Sequence, residues 1–392
     1  MDDLFPSIHL QANQKELYSY FYHLRPKLTY AEIVNILNSR YNYNITERNF
    51  KEYCKRDKLS RRSKLTNAEI DCMVDNELGR SASLVGYRQM TDYVCLRYGV
   101  QVSRESVRKS LIRLDPDGVN LRKRKVLRRR VYQSKGPFDV FHIDGHDKLK
   151  QWGFTIHGCM DGFSRKIVWL VCCTTNNDPV VVVNHFLNVL HRYKKTPTLI
   201  RADRGTENIY VKRLQRWLSG RKNSFIYGRS VRNQRIESFW SRLKRFLVQW
   251  WIDFFKLMEN MGILDIASEI HATLLLFCFM PVVQLELEEF RRVWNLHRVR
   301  RSAEAPGGRP ETLFSMPEST GFISQGIPVS SQDLQVADTV LRIDNIPITN
   351  DEDLYELLKC YVVINDFDIP IDAEGALDLY VLLLQCLHND GF

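Results

Sequence analysis

The chain has 392 residues, 44% hydrophobic and 26% charged, which excludes a disordered, collagen-like or disulfide-stapled protein and suggests two or three globular domains. Its formal net charge of +10 points to a polyanionic partner. The longest apolar run, Leu274 to Val283 with Pro281 inside it, is about half of the ~20 residues a membrane span needs, so a buried helix and no membrane partner are expected. The start, Met1-Asp2-Asp3-Leu4, has no basic region before an apolar stretch, so no secretory signal is expected.

Residues 15 to 58 read as three short helices. The first carries Leu17, Tyr18, Phe21 and Leu24, and Pro26 ends it. Thr29 followed by Glu32 is a capping box for the second, which buries Ile33, Ile36 and Leu37. After the bend Tyr43-Asn44-Ile45-Thr46, the third presents Arg48, Lys51, Lys55 and Arg56. Helix, short turn and basic helix are the helix-turn-helix layout. Residues 66 to 115 repeat it. Thr66 with Glu69 is a second capping box, Gly86 opens a helix to about Tyr98, and Ser103 starts another. That last helix has Val107, Leu111 and Leu114 on one face and Arg104, Arg108, Lys109 and Arg113 elsewhere, the pattern of a recognition helix. Next come Arg122, Lys123, Arg124, Lys125, Val126, Leu127, Arg128, Arg129 and Arg130, seven basic residues in nine. Such a run suits phosphate tracking, nuclear import or both.

After Pro137 the pattern becomes strand-like. Phe138 to Asp144, Trp152 to Asp161 and Lys166 to Cys173 are three strands, the last two forming a hairpin. Asp178-Pro179 starts a helix to Tyr193, Thr198 to Asp203 is a fourth strand, Ile209 to Leu218 a helix, Phe225 to Tyr227 a fifth strand, and Gln234 to Phe246 a helix. The order predicts an α/β domain: a mixed five-stranded sheet with helices on both faces, preceded by the all-α helix-turn-helix units. Residues 249 to 297 read as mainly helical. From Gly321 to Phe392 there are 13 acidic and 2 basic residues, a charge of −11, which leaves +21 on the rest. This tail is expected to shield the basic body from nucleic acid. The predicted divisions are a helix-turn-helix unit at 1–62, a second at 63–121, a basic linker at 122–136, the α/β core with a helical extension at 137–315, and an acidic region at 316–392.

The nine cysteines are scattered, with no Cys-x-x-Cys pair and no His pair at zinc spacing, so reduced thiols in the cytosol or nucleus, and no zinc, are expected. Three acids stand where chemistry can occur. Asp144 ends the first strand, Asp203 ends the fourth, and Glu237 lies in the first turn or so of the following helix. With strands one and four adjacent, their C-terminal ends would present Asp144 and Asp203 together, at the edge where open α/β sheets bind ligands. Three clustered carboxylates repel one another unless they share divalent cations, and two Mg²⁺ ions can drive phosphodiester chemistry. Singly, each acid has an ordinary structural explanation, as a turn, loop or surface ion-pair residue.

Four stretches carry a resemblance: Phe141-His142-Ile143-Asp144-Gly145, Met160-Asp161-Gly162-Phe163-Ser164-Arg165, Ala202-Asp203-Arg204-Gly205-Thr206-Glu207-Asn208, and Asn233-Gln234-Arg235-Ile236-Glu237-Ser238-Phe239-Trp240 with Ser241 to Lys244 behind it. In this order, over about Pro137 to Leu313, the chain resembles the catalytic core of retroviral integrases and related transposases. The resemblance implies a ribonuclease H-like fold and a D, D, E triad that binds two Mg²⁺ or Mn²⁺ ions. Asp144 would bridge both, Asp203 would hold one and Glu237 the other. It also implies a substrate role for Asn233, DNA contacts for Lys244 and Arg245, and a structural role for Asp161. Trp294-Asn295-Leu296-His297-Arg298 resembles the stretch closing the family's core.

The activity so implied is metal-dependent DNA nicking followed by strand transfer of element ends into target DNA, by a homo-oligomer holding two ends on double-stranded DNA. A nuclear protein, cytoplasmic before import, is expected. The retroviral N-terminal zinc domain has no counterpart, since His9 and His23 lack a cysteine pair at the right distance. The alternatives are a domesticated, catalytically silent DNA-binding or assembly protein, and a ribonuclease H-type nuclease.

Overall fold

The computed structural model describes residues 14–24, 28–59, 63–80, 85–116, 119, 134–228, 234–301, 306–343, 349 and 351–391. The chain divides into two compact units, Met1–Arg130 with Leu296–Arg298, and Val131–Asn295 with Val299–Phe392.

The first unit is all-helical: α1 (Gln14–His23), α2 (Tyr30–Tyr41), α3 (Glu47–Arg56), α4 (Asn67–Leu78), α5 (Tyr87–Arg97) and α6 (Arg104–Leu114). Both capping boxes form, with Thr29 and Thr66 each accepting from the backbone three residues on while Glu32 and Glu69 reach back. Two orphan donors are thereby satisfied at each helix start. An aromatic cluster of Tyr18, Phe50, Tyr43 and Tyr53 holds α1 to α3. Arg113 bridges Asp71 at 2.5 Å, tying α6 to α4. The buried face of α6 differs from the sequence reading. It runs through Val107, Ser110 and Leu111, while Leu114, the last residue of the helix, is 38% exposed.

The second unit is built on a five-stranded sheet of order β3-β2-β1-β5-β6, from β1 (Val140–His146), β2 (Thr155–Asp161), β3 (Ile167–Cys173), β5 (Leu199–Asp203) and β6 (Phe225–Gly228). β1, β2 and β3 pair antiparallel, whereas β1 with β5 and β5 with β6 are parallel. The expected mixed sheet is therefore present, with strands one and four side by side. One face buries Phe141, Ile143, Ile200 and Ala202 against α7 (Pro179–Tyr193) and α8 (Ile209–Ser219). Asp178 caps α7 by accepting from Val180 N, and Pro179 sits in its first turn, where its missing N–H costs nothing.

The other face meets α9 (Gln234–Leu243), continued by a π-helical turn at Lys244–Val248 and by α10 (Gln249–Asn260). Next comes α11 (Glu269–Leu296), long and apolar enough to span a membrane by length and composition, yet with 61% of its most apolar window buried inside the fold. It runs beside edge strand β3 and satisfies that strand's open backbone with side-chain amides. Asn295 accepts from Ile167 N at 2.8 Å and donates to Ile167 O at 3.0 Å, and Gln284 accepts from Cys172 N and donates to Leu170 O. Two amides thus take the place of a sixth strand and blunt the edge.

The acidic C-terminal residues are folded onto this unit. A short α12 (Pro310–Ser315) precedes β7 (Ile327–Pro328), which pairs with β4 (Lys195–Thr196). α13 (Ser331–Leu341) places Leu334 and Ala337 in the sheet's core. Finally α14 (Glu352–Ile364) and α15 (Ala373–Asn389) pack on α11, with Tyr355 against Phe277 and the fully buried Tyr380 against His271 and Phe279.

Candidate active site

Strand alternation decides which side chains face the site. Phe141 and Ile143 enter the core, so His142, Asp144 and His146 point to the opposite face. On β5, Ile200 and Ala202 enter the core, so Asp203 points the same way as Asp144. The parallel register pairs His142 with Arg201. Two residues further along both strands, Asp144 and Asp203 come level. Asp144 lies within β1, two residues short of its end, rather than at its end. Glu237 lies in the first turn of α9, which packs over β1 and β2 on this face.

The three acids sense one another. Burial pushes the Asp144 carboxyl up to about 7, with the charges of Asp203 and Glu237 adding to the rise, while the hydrogen bond from Trp240 opposes it. Glu237 is raised by burial and by the charge of Asp203, and Asp203 is raised by burial. Asp203 Oδ1 is buried with no hydrogen-bond partner, an acceptor that a cation would satisfy. The donors are all carboxylate oxygens, the set that hard divalent cations prefer. Among the described residues no three His, Cys, Asp or Glu side chains converge into a ready cage for a single ion.

Neighbouring groups complete the site. Trp240 Nε1 donates to Asp144 Oδ2 at 2.9 Å, and the His146 ring stacks on the indole at 5.0 Å between centroids. Burial, with the charge of nearby Lys148, lowers His146 to about 4; Lys244 acts on it in the same sense, which places that lysine beside the site. Arg245 is exposed on the π-helical turn. Asp161, another acid of the four stretches, is fully buried and used structurally. It accepts from Phe138 N, Ser164 N and Ser164 Oγ, and so fixes the β2–β3 turn, where Arg165 takes φ 65.

Arg104, Arg108 and Lys109 are exposed on α6 of the first unit, where Arg108 pairs with Glu105 at 2.7 Å. Asn233 and the basic run of Arg122, Lys123, Arg124, Lys125, Arg128, Arg129 and Arg130 lie outside the described residues. Sequence reasoning missed Trp240 and Gly158. Their only signal was a tryptophan three residues after Glu237, and a glycine inside a strand.

A mixed sheet with this strand order, helices on both faces and carboxylates on two adjacent parallel strands defines a ribonuclease H-like core. Residues 131–316 match the family model described as Integrase core domain, and this segment of the chain is an integrase core, the domain of DNA integration. No curated protein matches the chain. Among solved structures it is similar to a chain of the simian T-cell lymphotropic virus intasome in complex with PP2A regulatory subunit B56 gamma, at 12% identity and a TM-score of 0.31, covering 66% of this chain and 80% of that one.

Proposed function

We propose that this chain is a metal-dependent polynucleotidyl transferase that nicks double-stranded DNA at element ends and joins the freed 3′ ends to target DNA. The observation that carries the reading is the placement of Asp144 and Asp203 level on adjacent parallel strands, on the face covered by the helix that bears Glu237.

Asp144 with Asp203, and Asp144 with Glu237, would hold two Mg²⁺ or Mn²⁺ ions. Each ion then needs only two protein carboxylates, so no three-ligand cage is required. When bound, the ions supply the positive charge that activates the attacking oxygen and stabilises the leaving one. The chain's own residues bind and orient. Lys244 and Arg245, on the turn after α9, would take backbone phosphates, as would Asn233. Arg104, Arg108 and Lys109 on α6, with the basic run 122–130, would grip duplex DNA in a salt-dependent manner. Joining two ends calls for a homo-oligomer, and DNA as substrate for nuclear residence.

The test is nicking of a supercoiled plasmid by the full chain in Mn²⁺, wild type against Glu237→Gln. The variant should lose nicking by about three orders of magnitude, in line with the several kcal/mol that metal coordination supplies, while duplex binding stays unchanged. Wild-type protein that binds DNA without cutting it would instead favour a silent assembly protein. Cleavage confined to RNA–DNA hybrids would favour a ribonuclease.

A further inference from the structure

Glu237 and Trp240 are three residues apart on α9, so they share one helix face. That face is pressed on the sheet beside Asp144. The indole is 4% exposed, and its N–H, which can only donate, ends on Asp144 Oδ2 at 2.9 Å. The floor beneath it is shaped for the ring. Gly158 is the cross-strand partner of Asp144, and a Cβ at that position would stand 2.7 Å from Trp240 Cη2, nearer than real side chains approach. His146, two residues after Asp144, stacks on the ring with an interplanar angle of 16°. Packing alone would be served by any aromatic ring. The glycine floor, the stacked imidazole and the aimed N–H together specify tryptophan in one orientation.

We infer that Trp240 is a positioning residue: it locks the Asp144 carboxylate in one rotamer and fixes its distance from Glu237, since both the indole and Glu237 are carried by the same rigid helix. The inference rests on the metal-dependent reading above. It makes Gly158 part of the same device, because any Cβ there tilts the ring off the carboxylate.

The experiment is Mn²⁺ binding to the full chain, followed by the electron paramagnetic resonance signal of free Mn²⁺, for wild type, Trp240→Phe, Gly158→Ala and the double variant. Partners that orient a metal ligand contribute roughly 10–100-fold to metal affinity, so Trp240→Phe should weaken Mn²⁺ binding about tenfold with metal-free duplex binding unchanged. Gly158→Ala, which removes no polar group, should weaken it in the same direction. The double variant should be no weaker than the poorer single, because both changes break one hydrogen bond. A second readout needs no activity: with 5-fluorotryptophan at all seven tryptophans, the fluorine signal lost in Trp240→Phe should be the one most broadened by Mn²⁺, and Asp144→Asn should abolish that broadening. Wild-type Mn²⁺ affinity in folded Trp240→Phe, or in Gly158→Ala should Trp240→Phe not fold, would overturn the inference alone. Absence of Mn²⁺ binding by the wild type would overturn the metal-dependent reading and the inference with it.

Discussion

Lys166 Nζ lies 2.8 Å from Glu311 Oε1, and both side chains are 1% exposed. The pair joins the start of β3 to α12, across 145 residues of sequence. Burial opposes charge on both groups, yet each partner's charge prevails, so Lys166 is raised and Glu311 lowered from their ordinary values. The Phe314 ring lies 4.6 Å from the ammonium and Ser315 Oγ donates to the carboxylate at 3.0 Å.

Breaking this pair from one side leaves a buried charge without its counter-ion. Lys166→Met should therefore destabilise the second unit by about 3–5 kcal/mol. Lys166→Met with Glu311→Leu should recover most of the loss, since no charge is then stranded. Urea midpoints of the two variants provide the check, and equal midpoints would refute the account.

The site acids give a stability signature in the absence of metal. Asp144 is raised in the folded state to about 7 from 3.8, so its stabilising contribution is fully present below about pH 4 and is lost as pH rises through 7. Asp144→Asn does not titrate. Its unfolding free energy relative to wild type, read from urea midpoints, should thus climb between about pH 4 and pH 7 and level off above, reaching a gain on the order of 1–3 kcal/mol. Added Mg²⁺ should reverse the order, because it stabilises only the chain that binds it.

The buried histidines act in the opposite direction. Burial holds His157 at about 3 and His185 at about 4, both below the ordinary 6.5, and His185 Nε2 has no hydrogen-bond partner. Their contribution is present above pH 6.5 and is lost as pH falls toward 4. Replacing His185 with Leu should flatten the acid limb of a stability–pH curve by up to about 1.4 kcal/mol per pH unit. An unchanged slope would show that His185 is already protonated in the native state.

Cutting the chain at Gly321 would be a poor test of the acidic tail, because it strips Val329, Leu334 and Ala337 from the core. Asp353, Asp366, Asp368 and Asp378 are exposed, and their joint replacement by Asn removes four charges with little effect on packing. If the tail screens the basic body, this variant should bind non-specific duplex more tightly and with a steeper salt dependence. Titrations between 50 and 200 mM salt measure both.

Local rules were written plainly in the chain. Thr29 with Glu32 and Thr66 with Glu69 marked helix starts, Asp178-Pro179 marked another, and the five strands of the main sheet were legible from β-branched and aromatic runs, whereas the two-residue β4 was not. Leu114 shares a face with Val107 and Leu111 yet is 38% exposed, because helical periodicity reports a face but not how far the fold covers it. Asn295 and Gln284 gave no signal of their amide pairing with β3, since that depends on which helix passes the edge strand. The fold of residues 327–389 was equally obscure, because their apolar positions are explained only by α11 and the sheet they cover.

The sequence by itself determined the helices of the first unit and the main strands and helices of the α/β core, the charge split between a basic body and an acidic end, and the three carboxylates at 144, 203 and 237, all of which rest on residue type and spacing. Tertiary structure decided that Asp144 and Asp203 stand level on one face, that Trp240 and Gly158 hold the first of them, and that the acidic end is packed onto the core. Those outcomes depend on strand register and on contacts between residues far apart in the chain, which local propensity does not encode.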